Sequence, residues 1–541
     1  MVGIIVSGGT YSGSGDVTAQ FFKTTGTAWN VALPDGTLEL YGESGSWTMI
    51  NNWPGSSEYW NHNEGTVKIT QPNSTVLYAI GVNPNKGHLY NLEINQGVDG
   101  RGVDGVQLSS QVSGSTHLRI QNNLTVTSGT TKMTTTQGNN GYLLEVSGHC
   151  LVQQSGAAVF GDASFMNGGY NQTAYGLVKL GSLQVNANGY FSASSGTTGI
   201  LGAPNGGYSM YIPDGGFYHS SGTVDVRFTG TDASQVRNKD DFYNYEQTLD
   251  TASYASARVN WRGKGSAPYQ FTIANNLTIK EGAFRPSAPT NTIVVSGNVD
   301  VESGGTYGYS AGDFEAAASF GSVYNPFGNM YLSTGTTTIT GPATSGYLWR
   351  SNSATIHHNS GTVYFNTGSY NGNDIYPAPT QPFYNLIFSG SGTVEMFSSI
   401  IANNFTLGTD VTFRPITPTQ TFTVSGTATM NGFFGKDGFP QTTATNNNFG
   451  ALTIAGGGTY YATSGTTNIT AGNFTDDGTM THNNGTFSVK AGHAALILGA
   501  SETAFYDIKS ASEGSGVSTF KQYTNKIVEH DMITGSKELQ W

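Results

Sequence analysis

Four histidines are the residues of this sequence that most resemble a metal site or a set of catalytic bases. Each lies in one recurring phrase, which reads NHNEGTVKI at 61–69, YHSSGTVDV at 218–226, HHNSGTVYF at 357–365 and THNNGTFSV at 481–489. The histidines are His62, His219, His358 and His482. No second His, Cys or carboxylate accompanies all four, so the pattern indicates a repeated role more than a shared ligand set.

Further markers follow each histidine in a constant order. A tyrosine comes 24 to 28 residues later, then an Asn-Asn pair, a Val-Ser-Gly triplet and a Gly-Thr-Thr run. The tyrosines are Tyr90, Tyr243, Tyr384 and Tyr506, and the asparagines are Asn123, Asn276 and Asn404. The intervals, often about 20 to 27 residues, contain the apolar and polar alternation typical of strands. They predict an all-β fold, a parallel β-helix (β-solenoid) of about 20–27 residues per coil in three and a half large repeats.

The spacing of coils decides the chemistry of the histidines. Stacked strands lie about 4.8 Å apart, so six coils would separate successive histidines by roughly 30 Å. Metal ligands lie about 2 Å from their ion, and the four side chains therefore cannot share one. We predict that each histidine is a turn or packing residue, and that the asparagines form corners before strands.

The predicted boundaries follow the repeats. Tandem β-sandwich domains are the alternative architecture, although no Pro-rich or charged linker recurs between the copies. The predicted segments are an N-terminal cap or attachment region at 1–60, solenoid repeats at 61–205, 206–345 and 346–475, a partial repeat at 476–515, and a C-terminal cap or oligomer contact at 516–541.

Candidate binding residues lie where the sequence departs from the repeat. Residues 231–265 are the most charged excursion, and we predict a loop there that projects from the solenoid. Asp241 and Glu246 suit a glycosidase pair by residue type, although a solvated loop or a subunit contact explains them better. Tryptophans of the N-terminal region offer rings for stacking on sugars. The candidates are Asp240, Asp241, Tyr245, Glu246, Trp261, Trp53 and Trp60.

Bulk composition excludes several functions. The net charge of −12 argues against nucleic-acid binding, and the absence of an 18-residue apolar run argues against membrane insertion. A single cysteine, Cys150, forms no disulfide within the chain and is predicted to be a packed residue. No catalytic residue, metal site or cofactor is predicted.

The phrases HNSGTVYF, FYNLIFSG, NNFTLGTDVTF and TFTVSGTATM resemble the β-helical repeat regions of phage appendage proteins, and also those of bacterial surface adhesins. The resemblance covers about 60–515 and carries no catalytic motif. It implies a virion protein such as a tail fibre or tailspike, typically a homotrimer that touches host glycans and other virion proteins. The N-terminus carries no secretory signal pattern, which favours the virion surface over the cell surface or extracellular space. A surface adhesin, or a polysaccharide depolymerase on the same fold, is the alternative.

Overall fold

The computed structural model describes residues 3–24, 29–41, 59–70, 75–78, 89–97, 106–109, 117–133, 143–159, 177–201, 207–227, 233–238, 240–249, 251, 258–262, 270–286, 291–308, 317–341, 347–368, 371–417, 419–435, 446–490, 496–511, 521–523 and 527–532. Those residues form strands, turns and bends, with no helix among them. None of them belongs to a helix long and apolar enough to cross a membrane.

The chain divides into two compact units, Met1–Arg285 and Pro286–Trp541. The division falls inside the predicted second repeat. The strands that begin in the first unit are β1 (Ile4–Val6), β2 (Gly9–Ser12), β3 (Val17–Ala19), β4 (Phe22–Thr24), β5 (Trp29–Ala32), β6 (Thr37–Leu40), β7 (Tyr59–Asn61), β8 (Thr66–Ile69), β9 (Thr75–Tyr78), β10 (Asn91–Asn95), β11 (Val106–Ser109), β12 (His117–Ile120), β13 (Leu124–Met133), β14 (Leu143–Val159), β15 (Leu177–Val185), β16 (Tyr190–Ser192), β17 (Thr197–Ile200), β18 (Tyr208–Ile212), β19 (Gly216–Tyr218), β20 (Thr223–Val226), β21 (Ala233–Asn238), β22 (Asn244–Thr248), β23 (Arg258–Arg262), β24 (Gln270–Ile273) and β25 (Leu277–Pro286).

The second unit continues in the same manner. Its strands are β26 (Thr292–Tyr307), β27 (Ala317–Tyr324), β28 (Asn329–Tyr331), β29 (Thr336–Ile339), β30 (Tyr347–Arg350), β31 (Thr355–His357), β32 (Thr362–Asn366), β33 (Asn371–Tyr376), β34 (Phe383–Ser389), β35 (Ser391–Met396), β36 (Ile400–Leu407), β37 (Asp410–Pro415), β38 (Phe422–Met430), β39 (Phe433–Phe434), β40 (Asn447–Ile454), β41 (Thr459–Tyr461), β42 (Thr466–Ile469), β43 (Phe474–Asp476), β44 (Thr479–Thr481), β45 (Thr486–Lys490), β46 (Leu496–Leu498), β47 (Thr503–Ala511), β48 (Lys521–Tyr523) and β49 (Ile527–Met532).

Strands pair with strands one coil further along the chain, and the pairings are parallel. β32 pairs with β34, β34 with β36, and β36 with β38. This ladder confirms the predicted parallel β-solenoid and excludes, for the described residues, the antiparallel pairing of β-sandwich domains.

Coil length varies more than the sequence markers indicate. Paired residues are 23 positions apart at Val363 and Leu386, 19 at Leu386 and Phe405, and 32 at Leu92 and Leu124. The strands must keep their register, whereas the connections between them tolerate insertions. The region predicted as an N-terminal cap or attachment region, 1–60, also contains parallel strands, since β3 pairs with β6 and β6 pairs with β8.

Alternation along many of the strands buries every second side chain. In β8, Val67 is buried and Lys68 is half-exposed. In the second unit the interior is rich in aromatic rings, and Phe365 stacks on Phe388 of the next coil with centroids 4.7 Å apart. The ring contacts continue through Phe405, Phe413, Phe422, Phe434, Phe449 and Tyr460. Such pairs add about 0.5–1.5 kcal/mol each beyond burial of area, which stabilises the coil-to-coil register.

Candidate functional site

The four histidines form the same turn in each copy. The backbone N–H two residues after the histidine donates to its Nδ1 over 2.9, 2.9, 2.9 and 3.0 Å in chain order. The N–H of the following glycine donates to the histidine carbonyl oxygen at 2.9 to 3.0 Å. The two residues between have φ of 46° to 60°, as in a type I′ turn. His62, His219, His358 and His482 are therefore turn residues.

The glycine that closes this turn is required by close packing. A Cβ on Gly361 would lie 2.0 Å from the carbonyl oxygen of Ser333 in the preceding coil, and the equivalent distance is also 2.0 Å in the other three copies. The turn is tied to the same coil a second time, because Asn359 Nδ2 donates to the Leu332 carbonyl at 2.7 Å. The recurring Gly-Thr of the sequence marks this contact.

Each histidine ring lies against the marker tyrosine of the next coil. The ring centroids are 5.2, 5.6, 5.5 and 5.6 Å apart for the pairs with Tyr90, Tyr243, Tyr384 and Tyr506. The spacing of 24 to 28 residues between the two markers is thus the length of one coil.

The marker asparagines connect successive coils through their side chains. Asn385 Nδ2 donates to Thr362 Oγ1 at 3.3 Å, and its Oδ1 accepts from Asn404 Nδ2 at 2.9 Å. Asn404 Oδ1 then accepts from the Thr427 N–H at 3.1 Å.

The other two copies repeat this ladder. Asn123 Oδ1 accepts from the His149 N–H at 2.9 Å, and the Asn276 N–H donates to Asn244 Oδ1 at 3.2 Å. Asn123 and Asn404 therefore satisfy backbone N–H groups of the next coil through their side chains, whereas Asn276 is tied to the preceding coil through its own backbone N–H.

The environment of His219 and of His358 opposes protonation of the ring. Burial lowers the pKa of His219, although the carboxylate of Asp241 acts in the opposite direction. Burial also lowers the pKa of His358, and His357 lowers it further. An Nδ1 that accepts a hydrogen bond carries no proton, which agrees with a neutral ring. The described residues hold no group of three metal-ligating side chains.

The predicted projecting loop at 231–265 is wrong for the part that the structure describes. β21 pairs with β18 and β23, and β22 pairs with β20, so these residues belong to coils. Tyr245 and Trp261 are each only 1% exposed, with ring centroids 4.8 Å apart. Their interpretation as binding residues on a projecting loop is therefore corrected, because both rings pack in the core.

Two of the three acidic candidates of this region are bound to neighbouring groups of the protein, and the third is exposed. Asp240 Oδ2 accepts from the Phe217 N–H at 2.7 Å, and Asp241 lies exposed beside it. Glu246 Oε1 lies 2.5 Å from Lys280 Nζ and 3.6 Å from a terminal nitrogen of Arg227. Asp240 therefore accepts a backbone hydrogen bond of the frame, and Glu246 takes part in ion pairs.

The two tryptophan candidates of the N-terminal region have no described side chain. Trp53 lies outside the described residues. Of Trp60 the structure describes the backbone, which pairs with Val31 in β7 and β5, and nothing of its side chain.

Cys150 is a core residue. Its side chain is fully buried, and burial raises the pKa of the thiol to about 12. A thiol that holds its proton at neutral pH is neither a nucleophile nor a metal ligand.

One surface of the second unit brings together chemistry that the sequence did not reveal. Tyr347, Asp374, Glu395 and Arg414 lie in register on four successive coils, formed by β30, β33, β35 and β37. Arg414 forms an ion pair with Glu395. No described residue donates a hydrogen bond to the Asp374 carboxylate. Burial, together with the charge of Glu395, raises the pKa of Asp374 to about 6, although Arg414 acts against the shift.

Aromatic rings border this charged column. Phe397 contacts Tyr347 and Tyr376, with centroids 6.0 and 6.5 Å apart. The Arg350 guanidinium lies 5.2 Å from the Tyr347 ring centroid. Phe433 lies on the next coil, where it pairs with Thr412, two residues before Arg414 in the same strand. Phe433 is 44% exposed. We name Tyr347, Arg350, Asp374, Tyr376, Glu395, Phe397, Arg414 and Phe433 the Asp374 patch.

Sequence spacing alone holds one signal for this patch. Asp374, Glu395 and Arg414 follow each other at intervals of 21 and 19 residues, each the length of one coil. That signal becomes visible only when the register of the coils is known. The charges lie in otherwise ordinary repeat sequence.

Comparisons with known proteins add no relative. No protein-family model matches the chain, and neither a curated protein nor a solved structure is significantly similar to it.

Proposed function

We propose that this chain is a non-enzymatic structural protein of a viral particle, a fibre, spike or surface decoration, which contacts host surface glycans. The observation that carries the proposal is the use of the repeated polar residues. The marker histidines, tyrosines and asparagines are engaged in turns, ring contacts and ladders between coils. A chain whose recurring polar residues all build its frame is suited to a mechanical or display role.

Oligomeric state and location belong to the same proposal. The resemblance to phage appendage repeats favours a homotrimer at the virion surface, in contact with other virion proteins. The outward-facing residues of each coil are then available for host contact or for contact with the other chains.

The test combines mass with labelling. Light scattering on the purified chain is expected to give three times the 57.1 kDa of one chain. Gold-labelled antibodies against the chain are expected to decorate intact particles from the source. Decoration of bacterial cell surfaces in place of particles would overturn the virion role and favour the adhesin alternative.

A polysaccharide depolymerase is the second candidate, and one observation favours it. Asp374 and Glu395 lie on adjacent coils, about 4.8 Å apart at the backbone. Asp374 has a pKa raised to about 6, which is suited to a general acid, and Glu395 would be its partner carboxylate. Release of new reducing ends from a polysaccharide, abolished by Asp374→Asn, would establish this activity and overturn the non-enzymatic reading.

A further inference from the structure

We infer that the Asp374 patch is a binding site for neutral, hexose-containing glycans. This inference deepens the glycan contact of the proposed function and rests on it. It assigns that contact to one sheet of the second unit, which no repeat marker identifies.

The aromatic residues of the patch offer apolar surface at the outside of the solenoid. Large rings in this unit are mostly interior, as Phe365 and Phe388 are. Tyr376 and Phe397 are instead half-exposed, and Phe433 exposes 44% of its surface. The negative face of an aromatic ring attracts the C–H groups of a pyranose, so such rings recognise sugars by stacking.

Phe433 also differs in residue type from the residues that pair with it on the adjacent coils. Along the sheet its paired neighbours are Thr412 on one side and Thr459 on the other. Threonine is therefore compatible with the strand geometry at this position, and the packing of the coils does not require a phenylalanine here. A ring that the frame does not need, left in solvent, indicates a surface for contact.

The polar groups between the rings match sugar hydroxyls. The carboxylate of Asp374 receives no hydrogen bond from a described residue and can accept two from a diol. Arg350 is held over the rings of Tyr324 and Tyr347 at 5.3 and 5.2 Å, so its orientation is already set. Preorganised donors and acceptors reduce the entropy lost on binding.

Charge selects among the ligands. The patch contains two carboxylates, Asp374 and Glu395, and two guanidinium groups, Arg350 and Arg414, so its formal charge is zero. The whole chain carries −12, which repels nucleic acids and acidic polysaccharides. A neutral glycan meets neither obstacle.

The placement of the charges also argues against a second protein chain. Cores of protein interfaces are depleted in charged residues. Here Asp374, Glu395 and Arg414 stand in the middle of the patch, with the rings at its borders. The coils from β30 to β39 span about 19 Å, four strand spacings, which accommodates a short oligosaccharide.

The test uses the full chain on an array of neutral oligosaccharides (mannan, dextran and galactan fragments) beside acidic ones (alginate and polysialic acid fragments). Calorimetry then measures the affinity for the strongest neutral binder. Phe433→Thr and Asp374→Asn are each expected to lower the association constant about tenfold. Phe327→Thr removes a phenyl group that is 61% exposed elsewhere in the same unit and is the matched control, expected to leave the affinity unchanged.

Several outcomes would overturn the inference. They are binding of acidic glycans alone, equal losses in Phe327→Thr and Phe433→Thr, or no binding to any neutral glycan by a chain whose circular dichroism shows folded β-structure. A fall in mass for Phe433→Thr would show that the patch joins copies of this chain, and would also overturn it. The particle-labelling experiment is independent, so a patch that fails leaves the virion role intact, and absent labelling leaves the glycan result intact.

Discussion

The region around Glu246 in the first unit and the Asp374 patch in the second unit are both charged and both contain aromatic residues. They differ in whether their carboxylates and rings remain available to bind a ligand. Glu246 lies against Lys280, and the nearby rings of Tyr245 and Trp261 are buried. Asp374 receives no hydrogen bond from a described residue, and the nearby rings of Tyr376 and Phe397 are half-exposed.

A dense run of charged residues is therefore a poor indicator of a binding site in a solenoid. Whether a charged residue can bind a ligand depends on which side of the strand it occupies and on whether the next coil supplies a group that pairs with it. Glu246 in the most charged stretch of the sequence is paired with Lys280 and Arg227 of neighbouring strands. The less conspicuous stretch leaves the Asp374 carboxylate without a hydrogen-bond donor among the described residues, beside rings that are partly exposed to solvent.

Removing a ring from each region should produce the largest contrast. Trp261→Ala is expected to lower the free energy of unfolding by about 3–5 kcal/mol, because it opens a cavity among buried rings. Phe433→Ala is expected to change it by less than about 1 kcal/mol, since 44% of the residue is already exposed to solvent. Urea denaturation gives the totals, and hydrogen exchange of peptides from each unit locates the loss.

Equal destabilisation by Trp261→Ala and Phe433→Ala would contradict the contrast. Such a result would mean that Phe433 is covered, and the Asp374 patch would lose its most exposed ring.

The frame itself can be tested at two glycines. Gly361→Ala is expected to cost about 1–3 kcal/mol, because the new Cβ would lie 2.0 Å from the Ser333 carbonyl oxygen. Gly456→Ala is the control, since its Cβ would meet only the Asp477 carbonyl oxygen at 3.8 Å, and a change below about 0.5 kcal/mol is expected. Thermal unfolding of both variants separates the two cases. A tolerated alanine at 361 would show that the turn can move away from the preceding coil.

The frame was predictable from the sequence because its constraints repeat. The His358 turn, the Tyr384 ring and the Asn404 ladder follow one another at coil spacing, and the same series recurs in other copies. Their repetition therefore indicated a solenoid and a structural histidine. The burial of Trp261 and the position of Asp374 beside Glu395 were not predictable in this way. Burial of Trp261 depends on which of two alternating sides faces inward, and coils of 18 to 34 residues obscure which strands are neighbours. Asp374 and Glu395 become a pair only through that register.

Removing one carboxylate from each region should change stability in opposite directions. Glu246→Gln is expected to destabilise the chain by about 0.5 kcal/mol, because Lys280 and Arg227 lose a partner at a partly solvated site. Asp374→Asn is expected to stabilise it by less than about 1 kcal/mol at pH 7.5, because burial and the charge of Glu395 both disfavour an ionised carboxylate there, while solvent screens the effect. Urea midpoints at fixed slope give both values. The same sign for both variants would remove the electrostatic distinction between the two regions.

The smallest effect lies in the pH dependence of that last variant. The folded-state pKa of Asp374 is raised to about 6 from 3.8, so between those values the folded chain binds the proton more tightly than the unfolded chain. The stabilisation by Asp374→Asn should therefore be full above pH 6 and disappear as the pH falls towards 3.8. His219 and His358 act oppositely, because their lowered pKa values favour proton uptake by the unfolded chain below pH 6.5. Taking the difference between wild type and Asp374→Asn at each pH cancels the histidines. A difference that stays constant from pH 7.5 to 4 would show that Asp374 titrates normally and that the neighbouring coil does not perturb its charge.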